Sequence, residues 1–388
     1  MNTIQILKKL FIKVYRMKQK TIDFMNDLIH NPKKTRQNET PSKYIHIGYP
    51  KSASTAIQKG FFGIHNQLRH LGCGAKINSS FWDDHGYINE ELNIAMEIDL
   101  RYKTNFSYDK DRIKEIFENQ FNIAKNNKNI HAVGISNENF CFNWHGGIDV
   151  TEKAKRLKDI FGENTQILVV LRNQKALIES LYKETIRFGY PGSFYEYLKY
   201  LWTYKDRNFL YEFCFDKIIH LYSELFNSNN VHILFFEDLK KDPKSFLQNI
   251  STAIGVDYYK LDLSKEYNKQ LNNKELYIKR EINKKYPHTF GKGKYSIVDN
   301  HRYIPYYTSE LKDKIDDDIY IDYYTRQHFN QLSKSLNNKI ESPNIDLNWN
   351  NKYGENILNL FSEANSVLSI SNPLISRELK EFNYINLI

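Results

Sequence analysis

Residues 44–58 read Tyr-Ile-His-Ile-Gly-Tyr-Pro-Lys-Ser-Ala-Ser-Thr-Ala-Ile-Gln: a short apolar run, a turn with one lysine and several hydroxyl side chains, and a helix start. That order builds an anion site. The first N–H groups of a helix lack intrahelical partners, and the helix dipole favours negative charge beside them. Lys51 adds a full positive charge, and Ser52, Ser54 and Thr55 add donors around Ala53. The phosphate-loop pattern G-x-x-x-x-G-K-[ST] is absent, because the lysine follows Pro50 with no glycine before it.

A second basic feature follows an apolar run. Arg172 ends the strand-like stretch 166–171, and Ser180 lies two helical turns further on. Ligands of open α/β sheets collect at strand ends, and an arginine there can grip a phosphate through two parallel hydrogen bonds. Taken alone, Arg172 is a weak signal, since many arginines end strands and pair with carboxylates, and its weight comes from the pairing with the lysine loop. Two further residues carry titratable chemistry. Glu138 lies in Ile-Ser-Asn-Glu-Asn-Phe, just beyond another strand-like run, and reads either as a general base or as a capping or surface glutamate. His145, in Asn-Trp-His-Gly-Gly, reads as a second candidate base or as a loop histidine, with Trp144 beside it able to stack on a sugar face. His46, inside the first strand, reads as a packed histidine.

The elements that must position these residues are legible from periodicity. Residues 130–136, 166–171 and 231–236 are short, apolar and β-branched, like the first run at 44–47. Continuous apolar runs suit strands buried on both faces of a parallel sheet. Helical patterns separate them, over 109–126, 151–161 (Thr151 as N-cap), 174–188, 194–203, 208–227 and, from Pro243, 243–254. This alternation predicts a three-layer α/β/α fold with a central, mainly parallel sheet. Residues 64–108 have a weak pattern and read either as part of an acceptor pocket or as a surface insertion.

The two anion features, in order and in register, resemble those of sulfotransferases that use the donor PAPS (3′-phosphoadenosine 5′-phosphosulfate). Their 5′-phosphosulfate loop is close to Pro-Lys-Ser-Gly-Thr-Thr. Here Ala53 replaces the glycine and Ser54 the first threonine, and the alanine matters if the position needs positive φ. Their second motif is near Arg-x-Pro-x-x-x-x-x-Ser-x-Tyr. Arg172, Ser180 and Tyr182 fall in register, while Gln174 replaces the proline. Phe-Phe-Glu-Asp-Leu-Lys-Lys-Asp-Pro at 235–243 resembles the strand-turn-helix that follows, where Glu237 and Asp238 cap and brace. Residues 290–305, with Lys292, Gly293 and Lys294, resemble the late basic loop that closes over the nucleotide. The bacterial carbohydrate-modifying branch is the nearest likeness.

The resemblance implies a P-loop-like sulfotransferase architecture and an in-line transfer from PAPS to a hydroxyl, expected on a carbohydrate or glycan. It implies that Lys51, Ser52, Ala53, Ser54 and Thr55 hold the 5′ side and that Arg172 and Ser180 hold the 3′-phosphate. Lys51 then stabilises the charge that builds on the bridging oxygen, and Glu138, with His145 second, is the base. The chemistry needs no metal, and no metal-ligand spacing occurs in the sequence. Two alternatives stand beside it. A P-loop kinase or nucleotide phosphotransferase would need Mg²⁺ on a loop hydroxyl and a strand-end carboxylate such as Asp238, but the glycine pattern is wrong. A noncatalytic membrane or glycan-assembly module fits the departures at Ala53 and Gln174, against the retained Lys51, Ser52, Thr55, Arg172 and Ser180.

The whole chain is compatible with this reading. Its 388 residues carry a net charge of +9, which suits a polyanionic ligand, an acidic glycan or a membrane surface. Nucleic acid is disfavoured, since no zinc spacing, RNA-binding signature or compact basic recognition helix appears. An odd count of three scattered cysteines argues against a disulfide framework and for a cytoplasmic protein. Residues 1–42 read as a basic amphipathic helix, over 3–29, and a polar linker. The helix is a candidate for peripheral contact with an anionic inner membrane face. Residues 43–336 read as the sulfotransferase-like domain and 337–388 as a C-terminal appendage.

Overall fold

The computed structural model describes residues 40–73, 88–143, 147–187, 190–260, 271–285, 344–385 and 387. The amphipathic stretch 3–29, His145 with Trp144, and the basic loop with Lys292, Gly293 and Lys294 lie outside the described residues. The chain divides into two units, Met1–Thr40 and Pro41–Ile388, and nearly all of the described residues belong to the second.

Five strands form one parallel sheet: β1 Ser42–His46, β2 Leu68–Cys73, β3 Ala132–Ser136, β4 Gln166–Leu171 and β5 Val231–Phe235, in the order β2-β3-β1-β4-β5. β4 shows why the apolar runs are continuous. Ile167, Val169 and Leu171 point into one core, while Leu168 and Val170 point into another on the opposite face. Helices Lys110–Lys125, Val150–Phe161, Gln174–Arg187, Phe194–Thr203 and Phe215–Phe226 cover the first face. The helical stretch that starts at Ser54 and helix Pro243–Ile254 cover the second. The architecture is therefore three-layered, with a mainly parallel sheet in the middle.

Local chemistry sets most helix ends. Asp109 accepts from Arg112 N at 3.0 Å, and Ser193 and Glu196 form a reciprocal capping box. The cap before the fourth strand is Asp149, which accepts from Thr151 N at 2.7 Å, so Thr151 itself lies one residue inside the helix. The helical period over 208–227 splits into a 3-10 turn at Tyr211–Phe213 and helix Phe215–Phe226. Asn208 Oδ1 accepts from Leu210 N at 2.8 Å, and this local turn replaces the first turn of a longer helix.

Two regions differ from expectation. Within 64–108, Leu68–Cys73 is an edge strand, and Leu92, Ala95, Met96 and Leu100 are fully buried, so the described part is core rather than a surface insertion. The strand Leu-Arg-His-Leu-Gly-Cys has no β-branched residue, which is why its pattern reads weakly. The segment expected as an appendage also joins the main core from 344 onward. Helix Lys352–Ser371 packs on helices Phe194–Thr203 and Phe215–Phe226, and Ile357, Phe361, Leu368 and Tyr384 are fully buried.

Candidate active site

β1 is the point at which the strand order reverses, with β3 on one side and β4 on the other. The crevice beyond the carboxyl ends of these three strands is where an open α/β sheet gathers a ligand. The loop after β1 is anchored on β4, with Ile47 N donating to Leu168 O at 3.0 Å and Tyr49 N to Val170 O at 3.2 Å. Tyr49 is buried against Phe213 and Phe215, and its hydroxyl donates to Glu212 O at 2.6 Å. The chain then turns sharply. Lys51 and Ala53 both have φ of 62°, a left-handed conformation that non-glycine residues seldom adopt. Ala53 is the N-cap of the helix that starts at Ser54 and offers that end no side-chain acceptor. Ser54 Oγ donates to Tyr49 O at 3.3 Å, Thr55 is partly exposed, and Ser52 is fully buried with its hydroxyl unpartnered. Lys51 Nζ reaches Glu184 at 3.0 Å, and Glu184 is also paired with Arg187 at 2.8 Å.

His46 behaves as a packed residue. Its Nδ1 lies 2.6 Å from Ser136 Oγ, and burial pushes its pKa down to about 3, so the ring is neutral. A Cβ at Gly48 would come within 2.5 Å of His46 Nε2, so the loop's one glycine lets backbone and ring approach.

Arg172 joins the two anion features directly. Its Nη1 donates to Lys51 O at 2.5 Å, and its guanidinium lies over the Phe236 ring, 4.9 Å from the centroid. The side chain remains partly exposed. Ser180, two turns into helix Gln174–Arg187, is buried and its hydroxyl has no partner. Gln174 turns inward, where its side chain exchanges hydrogen bonds of 2.9 and 3.0 Å with Asn365. Glu237 braces the corner by accepting from Asn173 N at 3.1 Å and from the Tyr384 hydroxyl at 2.9 Å.

Glu138 opens a 3-10 turn immediately after β3. The cap is its neighbour Asn137, which accepts from Asn139 N at 2.9 Å, so the carboxylate of Glu138 is not used for capping. It is partly exposed. Burial, the largest effect, raises its pKa above the usual 4.5, Lys51 and Arg101 oppose that rise, and Glu184 adds to it. Lys51, Glu138 and Glu184 thus form one electrostatic group. The turn is fixed from below. Asn137 Nδ2 donates to Glu97 Oε1 at 2.7 Å, Glu97 is ion-paired with Arg101, and Lys153 Nζ donates to Asn139 O at 2.6 Å.

The structure links the loop of Lys51, Ser52, Ala53, Ser54 and Thr55 to Arg172 and, through the charge of Lys51, to Glu138, while Ser180 lies one turn before Glu184 on the helix that follows Arg172. Sequence reasoning missed Glu184, Glu97, Arg101 and Lys153. A signal existed for three of them: Glu184 follows Ser180 by one helical turn, and Arg101 follows Glu97 at the same spacing, in and just after a π-helical segment at Ala95–Asp99.

Solved structures to which the chain is similar include a sulfotransferase from Alicyclobacillus acidocaldarius, at 16% identity and a TM-score of 0.40, covering 59% of this chain and 87% of that one. A mouse sulfotransferase complexed with PAP aligns at 13% identity and a TM-score of 0.31, over 72% of this chain and 83% of its own. The sulfotransferase domain of a Synechococcus olefin synthase aligns at 13% identity and 0.31, over 74% and 98%. No curated protein matches the chain. The family model for the sulfotransferase domain matches residues 41–320, well over half of the sequence, and this chain belongs to the sulfotransferase domain family.

Proposed function

We propose that this protein transfers a sulfuryl group from PAPS to a hydroxyl of a carbohydrate or glycan acceptor. Family membership makes sulfuryl transfer the general chemistry. One observation carries the donor assignment: two buried serine hydroxyls have no partner among the described residues, Ser52 next to Lys51 in the loop and Ser180 one turn before Glu184, the ion-pair partner of Lys51, while Arg172 is hydrogen-bonded to the same loop. Buried hydroxyls are rarely left unpaired, and two of them, one on the lysine loop and one on the helix that follows the arginine, suit two phosphate-type groups.

In this reading Ser52, Ser54, Thr55 and the backbone at Ala53 bind the 5′ side, and Arg172 and Ser180 bind the 3′-phosphate. PAPS, when bound, supplies the sulfuryl group, and adenosine 3′,5′-bisphosphate is the product. Lys51 Nζ stabilises negative charge that develops on the bridging oxygen. Glu138, its carboxyl raised by burial yet partly exposed, takes the proton from the acceptor hydroxyl. Glu184 steadies Lys51 through their ion pair at 3.0 Å. His145 and the loop with Lys292, Gly293 and Lys294 remain proposed contributors, as base and nucleotide cover. The basic stretch 3–29 remains a proposed membrane contact of a bacterial cytoplasmic enzyme.

Calorimetric titration with adenosine 3′,5′-bisphosphate in the absence of Mg²⁺, beside ATP with Mg²⁺, tests the donor. Binding of the bisphosphate that ATP does not match is expected. Absence of bisphosphate binding sinks the reading, and Mg²⁺-dependent ATP binding in its place would favour phosphoryl transfer.

A further inference from the structure

We propose that the C-terminal segment is a positioning element for Arg172, acting through the Tyr384 hydroxyl, and that it sets how strongly the site grips the 3′-phosphate. The inference rests on the donor reading above. Its physical basis is the carboxylate of Glu237, whose charge acts on Arg172. A carboxylate beside an arginine tends to form a bidentate pair, and that pair would occupy the donors a phosphate needs. Here both Glu237 oxygens are engaged by neutral donors instead, the Asn173 N–H at 3.1 Å and the Tyr384 O–H at 2.9 Å. The negative charge steadies Arg172 from nearby, while the guanidinium's own hydrogen bond goes to Lys51 O.

Tyr384 is held so that it can do this. It is fully buried, its ring meets Phe235 edge-on at 5.5 Å, and its carbonyl accepts from Asn365 Nδ2 at 2.8 Å. Asn365 is the partner of Gln174, so one buried amide pair locks helix Lys352–Ser371 to the start of the helix that carries Ser180. Asn173, next to Arg172, adds a second tie by donating to Phe382 O at 3.2 Å and Asn383 O at 3.0 Å. A segment that served only to cover apolar surface would not need this set of polar bonds converging on residues 172–174. Buried polar networks fix a unique arrangement when every member is satisfied. The departure at Gln174 from the proline of the resembling motif finds its use in this contact.

The test is Tyr384→Phe in the full-length protein, titrated with adenosine 3′,5′-bisphosphate and, separately, adenosine 5′-monophosphate. The phenylalanine keeps the ring packing and removes the donor to Glu237, which then turns to Arg172. Bisphosphate affinity is expected to fall by about tenfold and monophosphate affinity to stay within about twofold, in line with losing a hydrogen bond to a charged group. With acceptor present, the donor KM rises while kcat at saturation holds. Asn365→Ala, which loosens the segment without touching Arg172 or Glu237, is expected to give the same selectivity at about threefold. Wild-type protein that fails to bind the bisphosphate overturns the donor reading and this inference with it. Wild-type binding, with variants that bind both nucleotides normally or lose both equally, overturns the inference alone.

Discussion

Lys51 and Arg172 share one sheet edge and one hydrogen bond, yet they are supported in opposite ways. Lys51 is held by a charge: Glu184 pairs with it directly, and Glu138 acts on it from the end of β3. Arg172 has no direct ion pair of this kind among the described residues: it bonds a backbone carbonyl, lies over an aromatic face, and feels the charge of Glu237, whose two oxygens are occupied by neutral donors. A cation that must meet charge developing during a reaction benefits from partners that it can exchange. A cation that must grip a phosphate unchanged through the reaction benefits from a rigid surround and free donors. In the proposed function, the contrast between the two corners is one between transfer and anchorage, and it can be broken by experiment.

The largest effect is expected from Lys51→Ala. Turnover should fall by about 10²–10³-fold, the loss typical of one donor aimed at developing charge. Bisphosphate affinity should change by less than about tenfold, because Arg172 and the serines remain. A variant that lost binding in proportion to turnover would make Lys51 an anchor too and erase the distinction.

Glu138→Gln sharpens the same corner through pH. The folded carboxyl has its pKa raised above 4.5, chiefly by burial. Activity carried by the carboxylate therefore rises as pH climbs through that raised value, and the glutamine variant should lose about 10²-fold in turnover together with this limb of the profile. Stability runs the other way. The folded state keeps the proton at pH values where the unfolded chain has released it, so this contribution is full below the unfolded pKa and is lost as pH rises through the folded one. The variant should flatten that slope in melting curves taken across the acidic range. An unchanged activity profile would pass the role of base to another residue.

Arg172→Ala tests the anchor. The bisphosphate Kd should rise by about 30-fold or more, as a charge-assisted phosphate contact is lost, with a much smaller change for adenosine 5′-monophosphate. Equal losses for both nucleotides would mean that the arginine only supports the Lys51 loop through its bond to the Lys51 carbonyl.

The two corners also differ in how far the sequence revealed them. The Lys51 loop is contiguous, so residue types at fixed spacing disclosed its place and the chemistry now proposed for it. Four of the five strands were equally legible, because burial on both faces writes an unbroken apolar run. Arg172 and Ser180 were legible as one motif, but what steadies Arg172 was not. Glu237 follows a different strand and Tyr384 lies near the C-terminus, and no local pattern links them. Residues 337–388 read as an appendage because their apolar residues are scattered among asparagines, yet in the described part those asparagines include caps and clasps. Asn351 caps its helix and Asn365 pairs with Gln174 in the core, so these amides record tertiary contacts that composition alone cannot show.

The smallest effect concerns a departure that the sequence did flag. Ala53 stands where the resembling loop has glycine, and its φ of 62° lies in the region where glycine is at ease and alanine is strained. Ala53→Gly removes that strain, but it also removes a methyl that packs against the second core and adds backbone freedom to the unfolded chain. The terms oppose one another, and strain should win narrowly, giving about 0.5 kcal/mol of stabilisation and a rise in Tm of about 1–2 °C. Turnover should stay within about twofold of the parent, since the backbone already holds the conformation that glycine prefers. A fall in Tm would show that the methyl contributes more than the strain removes. A fall in turnover at higher Tm would be more telling, because it would mean that alanine stiffens the Lys51 loop and that the transfer corner needs the rigidity here assigned to the anchor.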